Sequence, residues 1–360
     1  MEAFHCKTKI ITGAGAITAL EKMNIQQLLL VCDPFFMKNG TAQQIIRAAG
    51  NPKSQIFSRI VPDPSVTLAA EGAALVREFQ PDTVVALGGG STMDAAKAMV
   101  YFSGVKPKLV AIPTTSGSGS EVTDFAILTH DGVKHPLVDE ALKPDVAILD
   151  SDLVASLPPA LAAEGGFDLI SHALEAYVAS NRSCISDAMA AKAFQIAMEH
   201  LLPSFQGDSS VRGDLHTAAT MAGISFSQAG LGLCHAISHS LGGEFHIPHG
   251  RLNAILLPAV MEHNSVICGQ RYAHLARLNG LCSGSDTMAL RSLKNNLLRL
   301  RRSLKLPETL SAAGISLVSL MEKMNHLVDA AMADPCSSTN PLPPTPELVR
   351  TIIMEVAGRG

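Results

Sequence analysis

The feature that most restricts the fold of this chain is a change of texture near residue 155. Before it, short β-rich runs alternate with amphipathic stretches; after it, only helical periodicity remains. Runs at residues 9–12, 27–32, 55–60, 83–87, 109–112 and 146–149 read as strands, with amphipathic segments at 41–49, 65–79 and 92–101 between them. Such alternation needs crossover connections, so it predicts a mostly parallel sheet covered on both faces. Past Leu157-Pro158-Pro159, helical patterns follow at 159–180, 186–202, 209–228, 234–241, 252–264, 269–279, 287–304, 316–331 and 345–356. The expectation is an α/β N-terminal domain with a Rossmann-like parallel sheet (residues 1–153) and an all-α C-terminal domain (154–360). The run PLPPT at 341–345 is a short stiff spacer before the last helix. At 360 residues, 47% hydrophobic and 17% charged, the chain has material for about two well-buried cores.

Several function classes are excluded early. A formal net charge of -4 gives no footprint for a nucleic-acid partner. No apolar run approaches the roughly 18 residues of a membrane span, and MEAFHCKTK lacks the apolar core of a signal peptide, so a cytoplasmic protein is expected. The seven cysteines are scattered with no CxxC pair, which suits reduced thiols rather than a disulfide framework or a zinc ribbon. Cys234, beside His235, reads as a packed thiol because helix neighbours point about 100° apart.

Three glycine-rich stretches follow strands. Gly13-Ala14-Gly15-Ala16 lacks the third glycine of a dinucleotide fingerprint and is explained as well by a tight strand-to-helix turn. The stronger candidate is Gly88-Gly89-Gly90-Ser91-Thr92-Met93-Asp94. It follows the apolar run 84–87 and opens a helix whose free N–H groups suit a pyrophosphate. Ser91 stands where it would cap that helix and donate to a phosphate. Pro113-Thr114-Thr115-Ser116-Gly117-Ser118-Gly119-Ser120-Glu121 again follows a strand and would form a second wall. Ordinary βα turns would be shorter and less polar. Asp33 ends the run 27–32, where a carboxylate bonds ribose hydroxyls and repels a 2′-phosphate, favouring NAD over NADP; an Asx turn before Pro34 explains it equally well.

The stretch GLGLCHAISHSLGGEFHIPHG (230–250) holds His235, His239, His246 and His249 among small and apolar residues. His235 and His239 are four apart, so a helix puts both rings on one face, and the turn at Pro248-His249-Gly250 can bring a third ring back. Upstream, Asp168 and His172 form a second pair with the same spacing, in GFDLISHALEAY. Any one of these alone is more simply a satisfied core or surface residue. Two imidazole and carboxylate pairs on apolar helices are together what a divalent-metal site needs.

These residues together resemble the iron-dependent (group III) alcohol dehydrogenase family. The matching pieces are GGGSTMDAAKA from Gly88, IPTTSGSGSEVT from Ile112, KPDVAILD from Lys143, FDLISHALEAY from Phe167 and GLCHAISHSLGGEFHIPHG from Gly232. The run AGISFSQAGLGLCHAISHSLGG is most like the propanol dehydrogenases associated with bacterial microcompartments. The resemblance implies one divalent metal, usually Fe(II), held by Asp168, His172, His235 and His249 in an interdomain cleft. It implies NAD(H) bound through Asp33, Gly89, Gly90, Ser91, Asp94, Thr114, Thr115 and Ser118, with Lys134 and Leu153 as further contacts. His239 matches a histidine that is not a ligand but lies near nicotinamide and substrate, which fits a proton relay. His246 has no matching metal role and reads as structural or supporting. The ending VAGRG departs from the family's aromatic-containing finish, which leaves the packing of the last helix open.

Imidazole suits both iron and zinc, so the donor set alone leaves Fe(II) and Zn(II) open. The apolar residues near these histidines, Phe226, Leu231, Leu233, Ile237 and Leu241, with no basic cluster, favour a small uncharged substrate such as acetaldehyde or propionaldehyde and its primary alcohol. A zinc-dependent glycerol or polyol dehydrogenase on the same fold is the nearest rival. A dehydroquinate-synthase-like lyase would need basic side chains that these motifs lack, and a silent binding subunit would not need the full set of donors and loops. The resemblance also implies a homodimer or larger homo-oligomer, and encapsulation in a microcompartment through shell or lumen proteins.

Overall fold

The computed structural model describes residues 4–130 and 133–358. Strands β1 (Lys9–Gly13), β2 (Gln27–Cys32), β3 (Lys53–Phe57), β4 (Thr83–Gly88) and β5 (Lys108–Pro113) are followed by β6 (Phe125–His130), β7 (Val133–Val138) and β8 (Val146–Asp150). Six of them form one sheet in the order β1-β8-β5-β4-β2-β3, with every pairing parallel. Helices α1 (Pro34–Lys38), α2 (Thr41–Ala48), α3 (Val66–Phe79), α4 (Gly90–Ser103) and α5 (Ser151–Val154) connect or follow them.

The near-continuous apolar strands are explained by burial on both faces. Alternate residues go to opposite sides: Leu28, Leu30, Val85, Leu87, Val110 and Ile112 join one cluster with Ile45 of α2. Leu29, Val31, Val84, Ala86, Leu109 and Ala111 join the other with Val76 of α3 and Met99 of α4. The strands expected from the sequence are all present, with β3 starting two residues earlier. The antiparallel hairpin β6–β7 was not anticipated. Only Ala126 and Leu128 of β6 are buried, and Pro136 interrupts β7, so its apolar signal is weak.

The rest of the chain is helical: α6 (Pro159–Val178), α7 (Cys184–Phe205), α8 (Arg212–Ala229), α9 (Leu233–Phe245), α10 (His249–Leu278), α11 (Asp286–Ser303), α12 (Leu317–Ala333) and α13 (Pro346–Val356). Where the sequence suggested separate helices at 252–264 and 269–279, α10 runs through both, with one non-helical residue at Cys268 marking the break. Within this region α6 packs on α7 and α10, α10 also on α9, α11 and α13, and α12 on α9.

The chain divides into two compact units. One comprises the residues through Leu157 with Ser209–Gly223; the other comprises Pro158–Asp208 with the chain from Ile224 onward. The start of α8 therefore belongs with the α/β unit. There Arg212 donates to the carbonyls of Val154 and Ala155, and Thr220 donates to Glu121. Gly223 approaches Gly119 so closely that a Cβ on it would stand 2.7 Å from the Gly119 carbonyl oxygen.

Candidate metal centre and dinucleotide loops

Helix α6 opens at Pro159, whose fixed φ suits a first turn. Asp168, His172 and Glu175 follow at i, i+4 and i+7, which places them within an arc of about 60° on one face at about 100° per residue. Helix α9 contributes His235 and His239, and His249 is the first residue of α10. His246 ends α9 with a left-handed backbone (φ 55°, ψ 32°), the position that turns the chain toward α10. Its role here is that of a helix terminator, in line with the structural reading.

The Nε2 atoms of His172, His235 and His249 lie 3.8, 3.6 and 3.6 Å from the same oxygen, Oδ1 of Asp168. These separations are too long for charge-assisted hydrogen bonds, which close to about 2.7–2.9 Å. They match the edges of a coordination polyhedron: ligand bonds of about 2.1 Å in tetrahedral geometry set donors about 3.4 Å apart. Asp168, His172 and His235 therefore fit a divalent cation, and His249 meets the group at the same Asp168 oxygen. Asp168, His172 and His235 are buried and His249 is half-buried. The rings are packed against each other, His172 stacking on Phe226 (4.5 Å) and on His235 (4.4 Å), and His239 on His249 (5.0 Å).

Two buried polar residues and one half-buried one support this group, and none is singled out by the sequence. Glu175 accepts from Nδ1 of His235 at 2.6 Å and from the Cys234 N–H at 2.7 Å, which turns Nε2 of His235 toward Asp168 Oδ1 and the Asn253 amide, 3.6 and 3.3 Å away. Asn253 of α10 donates to Asp168 Oδ1 at 2.8 Å and is itself held by the Ser238 hydroxyl. Asp334, just past α12, accepts from His239 Nδ1 at 2.8 Å. Burial by itself would raise the Asp168 carboxyl, but His172, His249 and His235 hold it below the usual carboxylate range. Burial also opposes charge on His235, yet its two carboxylate neighbours lift it to about 9. Cys234 is fully buried, its thiol is pushed well up by burial first and then by Glu175 and Asp168, and its Sγ faces Asn253. It is a packed thiol. Of the five apolar residues named from sequence, Leu233, Ile237 and Leu241 are fully buried core, while Phe226 touches the histidine group directly.

In the α/β unit the two glycine-rich loops come together. Thr114 N–H donates to the Gly88 carbonyl at 2.9 Å. A Cβ on Gly89 would stand 3.2 Å from Thr115 Oγ1, and one on Gly90 would stand 3.2 Å from Ser118 Cβ. Gly89, Gly90, Thr114, Thr115 and Ser118 thus form one cluster, with Ser91 beside it in the first turn of α4. The expected capping role of Ser91 is not what the structure has. The helix begins at Gly90, so its cap position falls on Gly89, and no side chain closes the first N–H groups. Those groups suit an anion.

Asp94 uses both oxygens in bracing: Oδ1 accepts from Ser120 Oγ at 2.8 Å and Oδ2 from Ile127 N at 3.2 Å. Beside it Lys97 is buried, donating to Ser120 Oγ, Phe125 O, Thr123 O and Thr123 Oγ1 at 2.8–3.1 Å. Burial pulls Lys97 down to about 8 against the opposing pull of Asp94, Glu121 and Asp124. An ammonium group thus clamps the 120–125 segment to α4. Asp33 caps α1 through a 2.7 Å bond from Phe35 N, which realises its Asx-turn reading while keeping it at the end of β2. Lys134 pairs with Asp63 at 2.8 Å, and Leu153 packs on an apolar cluster of the sheet. The Gly15 N–H is taken up by Asp150 and Asp152 and the Ile17 N–H by Asp150, so the 13–16 turn faces carboxylates. That is no place for a phosphate.

Comparison with known proteins places this geometry. Family models for "Iron-containing alcohol dehydrogenase" and for the "Fe-containing alcohol dehydrogenase family, C-terminal" match residues 7–151 and 162–357. The chain is 41% identical to 1-propanol dehydrogenase PduQ of Citrobacter freundii, over 95% of this chain and 96% of that one. It is 36% identical to an NADPH-dependent butanol dehydrogenase of Clostridium saccharobutylicum, over 95% and 94% respectively. The solved iron-containing alcohol dehydrogenase of Thermococcus thioreducens superposes with a TM-score of 0.90 at 33% identity, covering 98% of this chain and 99% of that one. A 1,3-propanediol oxidoreductase superposes with a TM-score of 0.93 at 27% identity, covering 99% and 100%. The lyase and silent-subunit readings are set aside on these matches: the chain belongs to the iron-containing alcohol dehydrogenase family and is an alcohol oxidoreductase.

Proposed function

We propose that the protein interconverts short aldehydes, propionaldehyde and acetaldehyde among them, with their primary alcohols, using NAD(H) and a divalent cation held by Asp168, His172, His235 and His249. The observation that carries this reading is the convergence of three Nε2 atoms on one carboxylate oxygen at 3.6–3.8 Å. A divalent cation in that position supplies Lewis acidity toward a carbonyl oxygen. NADH is the hydride donor, and we assign its pyrophosphate to the cluster of Gly89, Gly90, Ser91, Thr114, Thr115 and Ser118, with Asp94 as the brace behind it. Asp33 directs the ribose end toward NAD by repelling a 2′-phosphate. Lys134 and Leu153 complete the cofactor contacts. Phe226 keeps water from one side of the histidine group, which strengthens charge interactions there. His239, beside that group but outside the donor set, exchanges the proton with the substrate oxygen.

The identity to 1-propanol dehydrogenases supports the substrate length, and we place the protein, as a homodimer or larger assembly, in a bacterial microcompartment. Among the described residues no helix is long and apolar enough to cross a membrane. The deciding experiment is anaerobic NADH-dependent reduction of propionaldehyde by apoprotein reloaded with Fe(II), Zn(II) or buffer, beside a panel of vicinal diols. Strong turnover with Fe(II) that disappears in His249→Ala is expected. Zinc-dependent turnover of glycerol in its place would assign a polyol dehydrogenase. Absence of turnover at full metal occupancy would refute the substrate class.

A further inference from the structure

His239 and Asp334, both half-buried, form a pair that the donor set does not use. Nδ1 of His239 lies 2.8 Å from Oδ2 of Asp334, with side-chain exposures of 10% and 7%. The other oxygen, Oδ1, accepts the Cys336 N–H at 2.8 Å, so Asp334 is fixed as the cap of the short turn Pro335–Thr339. The His239 ring stacks on His249 at 5.0 Å with an interplanar angle of 16°, which places it against the proposed ligands. Cys336 stands close enough that His239, Asp334 and Cys336 would make a second donor cluster for a metal. The distance decides against that. A cation bonded to both atoms would hold nitrogen and oxygen about 3 Å apart or more. The 2.8 Å separation is that of a charge-assisted hydrogen bond, unlike the 3.6–3.8 Å around Asp168.

We propose that Asp334 is a positioning residue: it holds His239 in the tautomer with hydrogen on Nδ1, so that Nε2 is the atom that takes and returns the substrate proton. This rests on the proton-exchange role given to His239 above. In aldehyde reduction the hydride of NADH adds to the carbonyl carbon, and the C=O π pair moves onto oxygen. That oxygen takes the proton from Nε2 of the imidazolium, and the products are NAD⁺, the alcohol and a neutral ring still bonded to Asp334. In alcohol oxidation the same steps run in reverse. The carboxylate fixes the orientation and tautomer of the ring, as an acid does behind a catalytic histidine. Burial would raise Asp334, but His239 and the Cys336 N–H bring it down to about 2, so it is ionised throughout the neutral range.

Asp334→Asn tests this without removing the cap, because an amide oxygen still accepts from Cys336. The amide N–H₂ then faces His239 Nδ1 and drives hydrogen to Nε2. We expect kcat to fall about 10²- to 10⁴-fold, with KM for NADH and bound metal unchanged and a larger solvent deuterium isotope effect. In a double-mutant cycle, Asp334→Asn should cost nothing further in a His239→Asn background, whereas a merely structural role would cost the same in both. Nitrogen-15 NMR of the zinc-loaded protein should show His239 protonated on Nδ1 in wild type and on Nε2 in the variant. Wild-type kcat in Asp334→Asn, additive losses in the cycle, a second bound zinc, or an Nε2–H tautomer in wild type would each overturn the proposal. If Asp334→Asn fails to fold, the wild-type tautomer still decides. A wild-type enzyme inactive on aldehydes would refute the proposed reaction, and the tautomer would still settle what Asp334 holds.

Discussion

Replacing Glu175 by Gln isolates the orientation of one proposed ligand from its presence. The substitution is isosteric, and the residue is buried at 3% exposure with two short bonds, 2.6 Å from His235 Nδ1 and 2.7 Å from the Cys234 N–H. A carboxylate accepts both; a glutamine has one accepting oxygen. If that oxygen serves His235, the amide N–H₂ opposes the Cys234 N–H and leaves a buried donor unpaired, which costs about 1–3 kcal/mol of apoprotein stability. If it serves Cys234, the amide N–H₂ faces Nδ1 and the His235 hydrogen moves to Nε2, occupying the lone pair a metal needs. Loss of such a partner weakens metal affinity about 10- to 100-fold, or about 1.4–2.7 kcal/mol of binding free energy. The assay is competition for Zn(II) between apoprotein and a chelator of known affinity, with Fe(II) repeated anaerobically and folding followed by circular dichroism. A Glu175→Gln protein with wild-type stability that also binds zinc within twofold of wild type would refute the reasoning. It would mean that His235 is either not a ligand or needs no partner.

Two further substitutions probe the frame. Gly250→Ala would put a Cβ 2.1 Å from the Glu164 carbonyl oxygen, where only backbone can yield, so α10 and α6 must separate beside His249. Overpacking of this kind costs about 1–3 kcal/mol or more, and an unchanged melting temperature would refute the close approach. Lys97→Met should lower stability and raise KM for NADH, with a pH dependence of definite sign. Because Lys97 sits at about 8 in the folded protein against an ordinary 10.5, the unfolded chain binds the extra proton between those values. Wild-type stability relative to the variant therefore rises from pH 8 to 10.5 and is flat below. Urea midpoints of both proteins at pH 7, 9 and 10 measure it, and a difference independent of pH would sink the assignment.

Much of this molecule was legible because its signals are local. Strands buried on both faces announce themselves as apolar runs, and i,i+4 pairs announce shared helix faces, so the sheet and both pairs of site residues could be read from spacing. What escaped notice depends on partners distant in sequence. Glu175, Asn253 and Asp334 are single polar residues whose partners lie 60, 85 and 95 positions away. No periodicity marks such residues; a buried carboxylate or amide in an apolar helix is the one available hint. Lys97 carries the same hint, since both of its neighbours are fully buried alanines, although in sequence it stands as one letter of a motif. The Ser91 cap failed for a local reason: helix α4 starts two residues sooner than the hydroxyl rule assumed.

Placing Asp168, His172 and Glu175 on one face of α6 has a consequence for how such a centre can change over generations. A one-residue insertion or deletion in the helix just before Asp168 would swing the following residues by about 100° and misdirect two donors and one support together. Changes of length in this helix are closed off, while substitutions elsewhere that keep it in register leave the frame standing. A lineage built on this arrangement can trade one first-row ion for another, or reshape what the substrate touches, far more readily than it can rearrange its metal-binding frame.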